Sequence, residues 1–270
     1  MEWQRRANTL QSLKTDTSKT NSITRYFRVS RIAMHTLLGL VFASIVLPLA
    51  SKPCKTRLIK WWCKHLLAAF NLRVISHGHV PPANAQLTAT MFVANHVSWS
   101  DIHALNSIVV LRFIAKSEIR NWPIFGYLVG SANPLFIDRS NRRDAKRTLD
   151  IATQSLQAGD NLCLFPEGTT TDGTTIKPFK SSLIQAAIQA KATIWPVAIR
   201  YPHPDGGVNV DVAYAGETTM MESMQKILSQ KQPVIELHFL APITPKDFAE
   251  QDRRELTLHI ETLIRHQLAL

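Results

Sequence analysis

From residue 72 onward the chain alternates short apolar runs with longer helical patterns, and this alternation limits the fold more than any other feature. The stretches "LRVIS", "TMFVAN", "LRFIAK", "PLFIDR", "NLCLFP", "TIWPVAIRY", "VNVDVAY" and "VIELHFLAPI" read as strands. Between them helices are expected near 101–110, 142–158, 181–191 and 219–229, with a last one at 247–268. In the second of these, Ala145, Leu149, Ala152 and Leu156 recur at the spacing of one buried face. The pattern predicts an α/β domain over 72–270, with a largely parallel sheet flanked by helices. In such sheets chemistry collects where strands end.

The residues before 72 have a different texture. The formal charge of +11 suggests a nucleic-acid partner until it is located along the chain. Residues 1–64 carry 12 Lys and Arg against Glu2 and Asp16, so the remainder is nearly neutral and no nucleic acid is expected. The same segment holds "IAMHTLLGLVFASIVLPLA", residues 32–50, whose only strongly polar side chain is His35. That run is just long enough to cross a hydrocarbon layer of about 30 Å. Basic residues flank both of its sides (Arg25, Arg28 and Arg31 before; Lys52, Lys55, Arg57, Lys60 and Lys64 after). Matched flanks favour a helix that dips in and returns, or lies in the interface, over one with a set orientation. "RLIKWWCKHLLAAFNL" follows, with Leu58, Ile59, Trp61, Trp62, Leu66, Leu67 and Phe70 interleaved with Lys60 and Lys64. It reads as an interfacial amphipathic helix or as a core helix with a solvated face. Residues 23–71 are thus expected to form a membrane-anchoring helical segment, and the polar stretch 1–22 a disordered tail. Cys54, Cys63 and Cys163 have neither metal-site spacing nor a disulfide framework, which predicts a reduced protein on the cytoplasmic face of the inner (plasma) membrane.

Four strand ends carry unusual residues: "NHVSWSD" after "MFVA", Asp138 and Arg139 closing "PLFI", "FPEGTTTDG" after "NLCL", and Pro196 inside "WPVAI", which suggests an edge or bulged strand. Their order and spacing resemble the glycerolipid acyltransferases of the lysophosphatidate (1-acylglycerol-3-phosphate) acyltransferase type. Asn95, His96, Ser98 and Asp101 match the NHxxxxD block, Phe136–Arg139 the second block, Phe165–Thr169 the third, and Trp195–Ile199 the last. The resemblance covers roughly residues 72–215. It departs at Thr170 and Thr171, where many relatives carry Arg and Ser, and at Ser181, where glycine is frequent.

The chemistry follows from the residue types. Acyl transfer from a thioester to an alcohol needs a base for the hydroxyl proton, and imidazole suits that task at neutral pH. A carboxylate on its other nitrogen fixes the tautomer and stabilises the imidazolium. His96 and Asp101, five residues apart across a strand end and a first helical turn, are the catalytic candidates. No GxSxG elbow is present, so direct attack by the lipid hydroxyl is expected. The resemblance implies that Arg139 holds a phosphate, for which its planar fork is suited, and it places Asn95 and Ser98 among the substrate-binding residues. Gly168 permits close backbone approach, and the amides of Gly168 and Thr169 are candidate donors to the ligand. Glu167 is expected to orient an acceptor hydroxyl or Arg139, or else to sit as a helix N-terminal carboxylate. Lys177 and Lys180 read equally as donor-phosphate contacts or solvated loop lysines. "HGH" at 77–79 has no third ligand nearby in sequence, so no metal is expected.

The reading is therefore an O-acyltransferase that needs no cofactor beyond its acyl donor, acyl-CoA or acyl carrier protein, and acts on a lysolipid among membrane lipids. The resemblance favours 1-acylglycerol-3-phosphate as acceptor. Lyso-ornithine lipid or another lysophospholipid is the alternative, and a non-catalytic basic module that binds membranes or nucleic acid is the reading from a different class.

Overall fold

The computed structural model describes residues 16–82, 87–122, 124–131, 134–137, 142–248 and 252–270. Seven strands form the main sheet: β2 (Arg73–Gly78), β3 (Thr90–Ala94), β4 (Arg112–Lys116), β5 (Leu135–Ile137), β6 (Asn161–Leu164), β7 (Thr193–Arg200) and β9 (Val234–Phe239). Their order is β2-β9-β7-β3-β6-β4-β5. All neighbours run parallel except β7 and β9. Every residue of β3 is buried, as expected for a strand covered on both faces.

One face of the sheet is covered by α2 (Lys52–Ala69), α3 (Ser100–Ile108) and α7 (Met220–Ser229), which share a core containing Leu66, Leu67, Phe70, Leu105, Ile227, Phe92, Ile199 and Phe239. On the opposite face lie α5 (Arg142–Gln157), α6 (Ile184–Ala190) and α8 (Arg253–Leu268), over a core that includes Ala152, Leu156, Met91, Ile194 and Ile260. A short helix, α4 (Phe125–Ser131), precedes β5. Ala152 and Leu156 are buried and Leu149 partly so, as their spacing predicts.

Three local expectations are corrected. "VNVDVAY" is not a strand: it contains an isolated bridge, Pro202 to Val208, and a helical turn at Val210–Val212. Pro196 sits in the interior of the sheet, between β3 and β9, and only the bulged half of its reading survives. Val197 pairs with Phe239, and the next contact is Ile194 with Ile243. Three residues of one chain thus span what Trp195 and Pro196 span on the other, a gap that accommodates the missing N–H. Asp16–Lys19, expected within a disordered tail, form β1 and pair with β8 (Gln230–Gln232); residues 1–15 lie outside the described residues.

The N-terminal helix α1 (Ser22–Leu49) is 28 residues long, with a π-helical turn at Phe42–Val46 just before Pro48. By length and composition it can cross a membrane. Arg28, one of the basic residues flanking the apolar run, is buried and donates to the carbonyls of Leu228, Gln230 and Lys231 at 3.3, 2.6 and 2.7 Å. There it meets the negative end of α7. His35 Nε2 is 2.9 Å from Trp62 O, and its ring stacks on the Trp62 indole. Of the two readings of α2, its packing is that of a core helix with a solvated face: Cys63, Leu66 and Leu67 are buried, as is Phe70 at its C-cap, because the apolar face it shows to α3 completes the core.

Candidate active site

The carboxyl ends of β3, β6 and β7 lie side by side, so the segments that follow them meet. Leaving β3, the chain turns at Asn95 and His96 and enters α3, whose first turn carries Asp101. His96 Nδ1 and Asp101 Oδ2 are 2.8 Å apart. Asp101 is fully buried, whereas His96 keeps 16% of its side chain exposed. With Nδ1 engaged, Nε2 is the nitrogen left for an incoming hydroxyl.

A buried carboxylate must be fully hydrogen-bonded to stay charged, and Asp101 meets that demand. Oδ2 also accepts from the amides of Val97 and Ser98 at 2.8 and 2.9 Å, while Oδ1 accepts from the Tyr201 hydroxyl. Burial and the Asp101 charge push the Tyr201 phenol well up, so it stays protonated and donates. Tyr201 Oη also lies 2.8 Å from Ser100 Oγ. Phe165, from the strand-end block after β6, stacks flat on the imidazole with ring centroids 3.9 Å apart. The ring is thereby held from one edge and one face. Trp99, inside the NHxxxxD block, packs on Phe70 and donates to Ser223 Oγ at 3.1 Å, which ties the loop to α7.

Glu167 joins two loops and does not sit at a helix N-terminus. Oε1 accepts from the His96 amide at 2.7 Å and Oε2 from the Lys177 amide at 2.9 Å. Burial raises its carboxyl above the ordinary value, partly offset by those amides. Asn95 and Ser98 are both buried beside the pair. Asn95 exchanges two hydrogen bonds with the Ile199 backbone, at 2.9 and 2.7 Å, and locks β3 to β7. Ser98 is fully buried. Gly168 adopts φ +75°, a backbone position that favours glycine, and its amide donates to Phe165 O at 3.1 Å within the turn. Thr169 is exposed beside it. Thr170 donates its hydroxyl to Tyr214 O. Lys177 and Lys180 are exposed. Arg139 and Asp138 lie outside the described residues.

A base poised by a buried carboxylate at a strand end is equipped for proton abstraction from an alcohol. Comparison with known proteins agrees with that chemistry. The family model described as "Acyltransferase" matches residues 74–200. The lyso-ornithine lipid O-acyltransferase of Pseudomonas aeruginosa is 32% identical over 213 residues, covering 79% of each chain. The chain belongs to the acyltransferase family. Another member, the 1-acyl-sn-glycerol-3-phosphate acyltransferase of Neisseria gonorrhoeae, is 36% identical over 189 residues, 70% of this chain and 72% of that one. The crystal structure of the Thermotoga maritima lysophosphatidate acyltransferase PlsC shares the fold, with a TM-score of 0.62 and 20% identity over 90% of this chain and 96% of that one. The protein is thus an O-acyltransferase. Two parts of its site gave no signal of their kind in the sequence. Tyr201 stands 100 positions from Asp101 and meets it only through the order of strands, and the ring of Phe165 is hidden inside a block read for its carboxylate and glycine.

Proposed function

We propose that this acyltransferase moves a fatty acyl group from acyl-CoA or acyl carrier protein to the free hydroxyl of a lysolipid at a membrane surface, with 1-acylglycerol-3-phosphate as acceptor. The observation that carries the reading is the 2.8 Å contact of His96 Nδ1 with a fully buried Asp101. His96 Nε2 takes the hydroxyl proton as the lipid oxygen attacks the thioester carbonyl. Asp101 stabilises the imidazolium that forms. Collapse of the tetrahedral intermediate breaks the C–S bond, leaves a new ester, and returns the proton from Nε2 to the departing thiolate. Arg139 is assigned the acceptor phosphate on the resemblance of its block.

Membrane contact is assigned to α1. Arg28 and His35 fasten one of its faces to the domain, while Ile23, Tyr26, Phe27, Met34, Leu37, Val41, Ile45 and Leu49 are exposed on the other. A helix about 42 Å long at 1.5 Å per residue, docked along one side, lies in the interface more readily than it stands across it. Neighbouring Lys52, Arg57 and Lys64 are exposed and suit anionic headgroups. The cytoplasmic side is inferred from three free cysteines.

Lyso-ornithine lipid is the second acceptor reading. It is favoured by Thr170, which stands where relatives often carry a cation and spends its hydroxyl on Tyr214 O. A competition between the two acceptors with one donor separates the readings. Lysophosphatidate is expected to win in kcat/KM, and Arg139→Lys is expected to raise its KM alone. A tenfold preference for lyso-ornithine lipid, about 1.4 kcal/mol, reverses the assignment.

A further inference from the structure

On the sheet face away from α3, three metal-binding side chains converge that sequence distance had kept apart. His77 of β2 lies opposite His238 of the parallel strand β9, and Glu236, two residues before His238, shares its face. One ligand atom from each lies within 4.8 Å of the other two. The imidazoles stack with centroids 4.6 Å apart. No third ligand lies near His77 and His79 in sequence; the fold supplies two to His77 from beyond position 230, while His79 itself is exposed.

From the structure we infer that His77, Glu236 and His238 form a site for a single divalent cation of the zinc class. Two neutral imidazoles and one carboxylate, with a position open to water, are a donor set that borderline metals take in tetrahedral geometry. Two observations support it. His77 Nε2 is buried with no hydrogen-bond partner among the described residues, a deficit that a bound cation would fill. The side-chain amide of Gln267, on α8, lies 3.3 Å from His238 Nδ1. Its oxygen and nitrogen interchange by a flip, and with the oxygen inward it accepts from Nδ1–H and directs the Nε2 lone pair to the ion.

The direct contacts within the cluster are weak by comparison. His238 Nε2 and Glu236 Oε2 are 3.4 Å apart, long for a hydrogen bond. Arg200, opposite Glu236 in the β7–β9 register, donates Nη2 to Gly206 O at 2.6 Å. In a tetrahedral site with bonds of about 2.0–2.1 Å the donor atoms stand about 3.4 Å apart, so small side-chain rotations close the site. The backbone beneath is fixed: Gly78 has φ +76°, and a Cβ there would lie 2.3 Å from Phe239 O, which holds the two strands in close register. Because Ala198 and Arg200 share the face of the cluster while Ile199 points into the α3 side, the ion clasps β2 to β9 and takes no part in acyl transfer.

The test uses the full-length, untagged protein stripped with a chelator. Titration with Co2+ is expected to give the visible bands of tetrahedral coordination at one equivalent, and Zn2+ to displace it and raise the thermal midpoint in a concentration-dependent way. His77→Ala and His238→Ala should each abolish the bands, as should Glu236→Gln, which keeps the side-chain volume if the alanine variants fold poorly. Gln267→Ala should weaken binding by about 10- to 100-fold, and His79→Ala should leave it unchanged. The absence of tetrahedral bands in the parent protein, or bands that persist in the His77→Ala/His238→Ala double variant, overturns the proposal.

Discussion

Asp101 accepts four hydrogen bonds in a space closed to water, from His96, Val97, Ser98 and Tyr201, and each donor to a buried charge contributes about 1.5–3 kcal/mol. Asp101→Asn presents an amide to donors and favours the wrong imidazole tautomer, so turnover should fall steeply. Tyr201→Phe strips one donor and leaves the His96 contact intact. It should lower stability by about 1–3 kcal/mol and reduce kcat with KM unchanged; a raised KM with normal kcat contradicts the positioning role. Glu167 adds a pH signature. Its folded-state carboxyl is raised above the ordinary 4.5, so it binds its proton more tightly folded than unfolded, and its contribution to stability is greatest below that value and declines as pH rises through the raised pKa. Melting curves should therefore show the wild type's advantage over Glu167→Gln shrinking from acid towards neutral pH. The His96–Asp101 pair was legible in sequence because five residues of local chain set its geometry. The two-loop tie of Glu167 was not, since both of its partners are backbone amides that any residue type supplies.

At the scale of elements, α1, α2 and α3 form a packed series that ends at the site. His35 of α1 stacks on Trp62 of α2, and Trp62 meets His103 of α3 edge-on at 5.7 Å; α3 carries Asp101 in its first turn. The helix proposed above to face lipid is thereby tied to the catalytic one through stacked side chains. Leu37→Glu with Ile45→Glu, both on the exposed face of α1, should reduce cosedimentation with anionic vesicles while leaving the melting temperature unaltered; undiminished binding would move the membrane surface elsewhere. Removing residues 1–64 is a poorer test, since it also removes the buried Cys63 and most of α2. The strands of the main sheet were legible as apolar runs bounded by polar turns, and α5 by its period. The role of α2 was not, because an amphipathic pattern states that one face is apolar and leaves open whether lipid or protein covers it. "VNVDVAY" alternates like a strand, yet among the described residues it makes only the isolated bridge of Val208 with Pro202 before turning helical at Val210.

For the whole molecule, the parallel strands β3 and β6, with β7 beside β3, bring three segments distant in sequence to one end of the sheet, and the blocks that hold His96, Glu167 and Pro196 meet there. The fold class was readable from strand–helix alternation alone. The order of strands was not, and that order is what delivers Tyr201 to Asp101 and sets Glu236 and His238 beside His77. The central claim is that His96 is the base for direct acyl transfer to a lysolipid hydroxyl. The measurement that tests it most directly is acyl transfer from a labelled thioester to lysophosphatidate or lyso-ornithine lipid by purified wild type and His96→Ala, alongside vesicle binding and melting of both. The account predicts a loss of about 10²- to 10⁴-fold in kcat/KM with binding and melting unchanged, and near-normal turnover in a folded His96→Ala protein would contradict it.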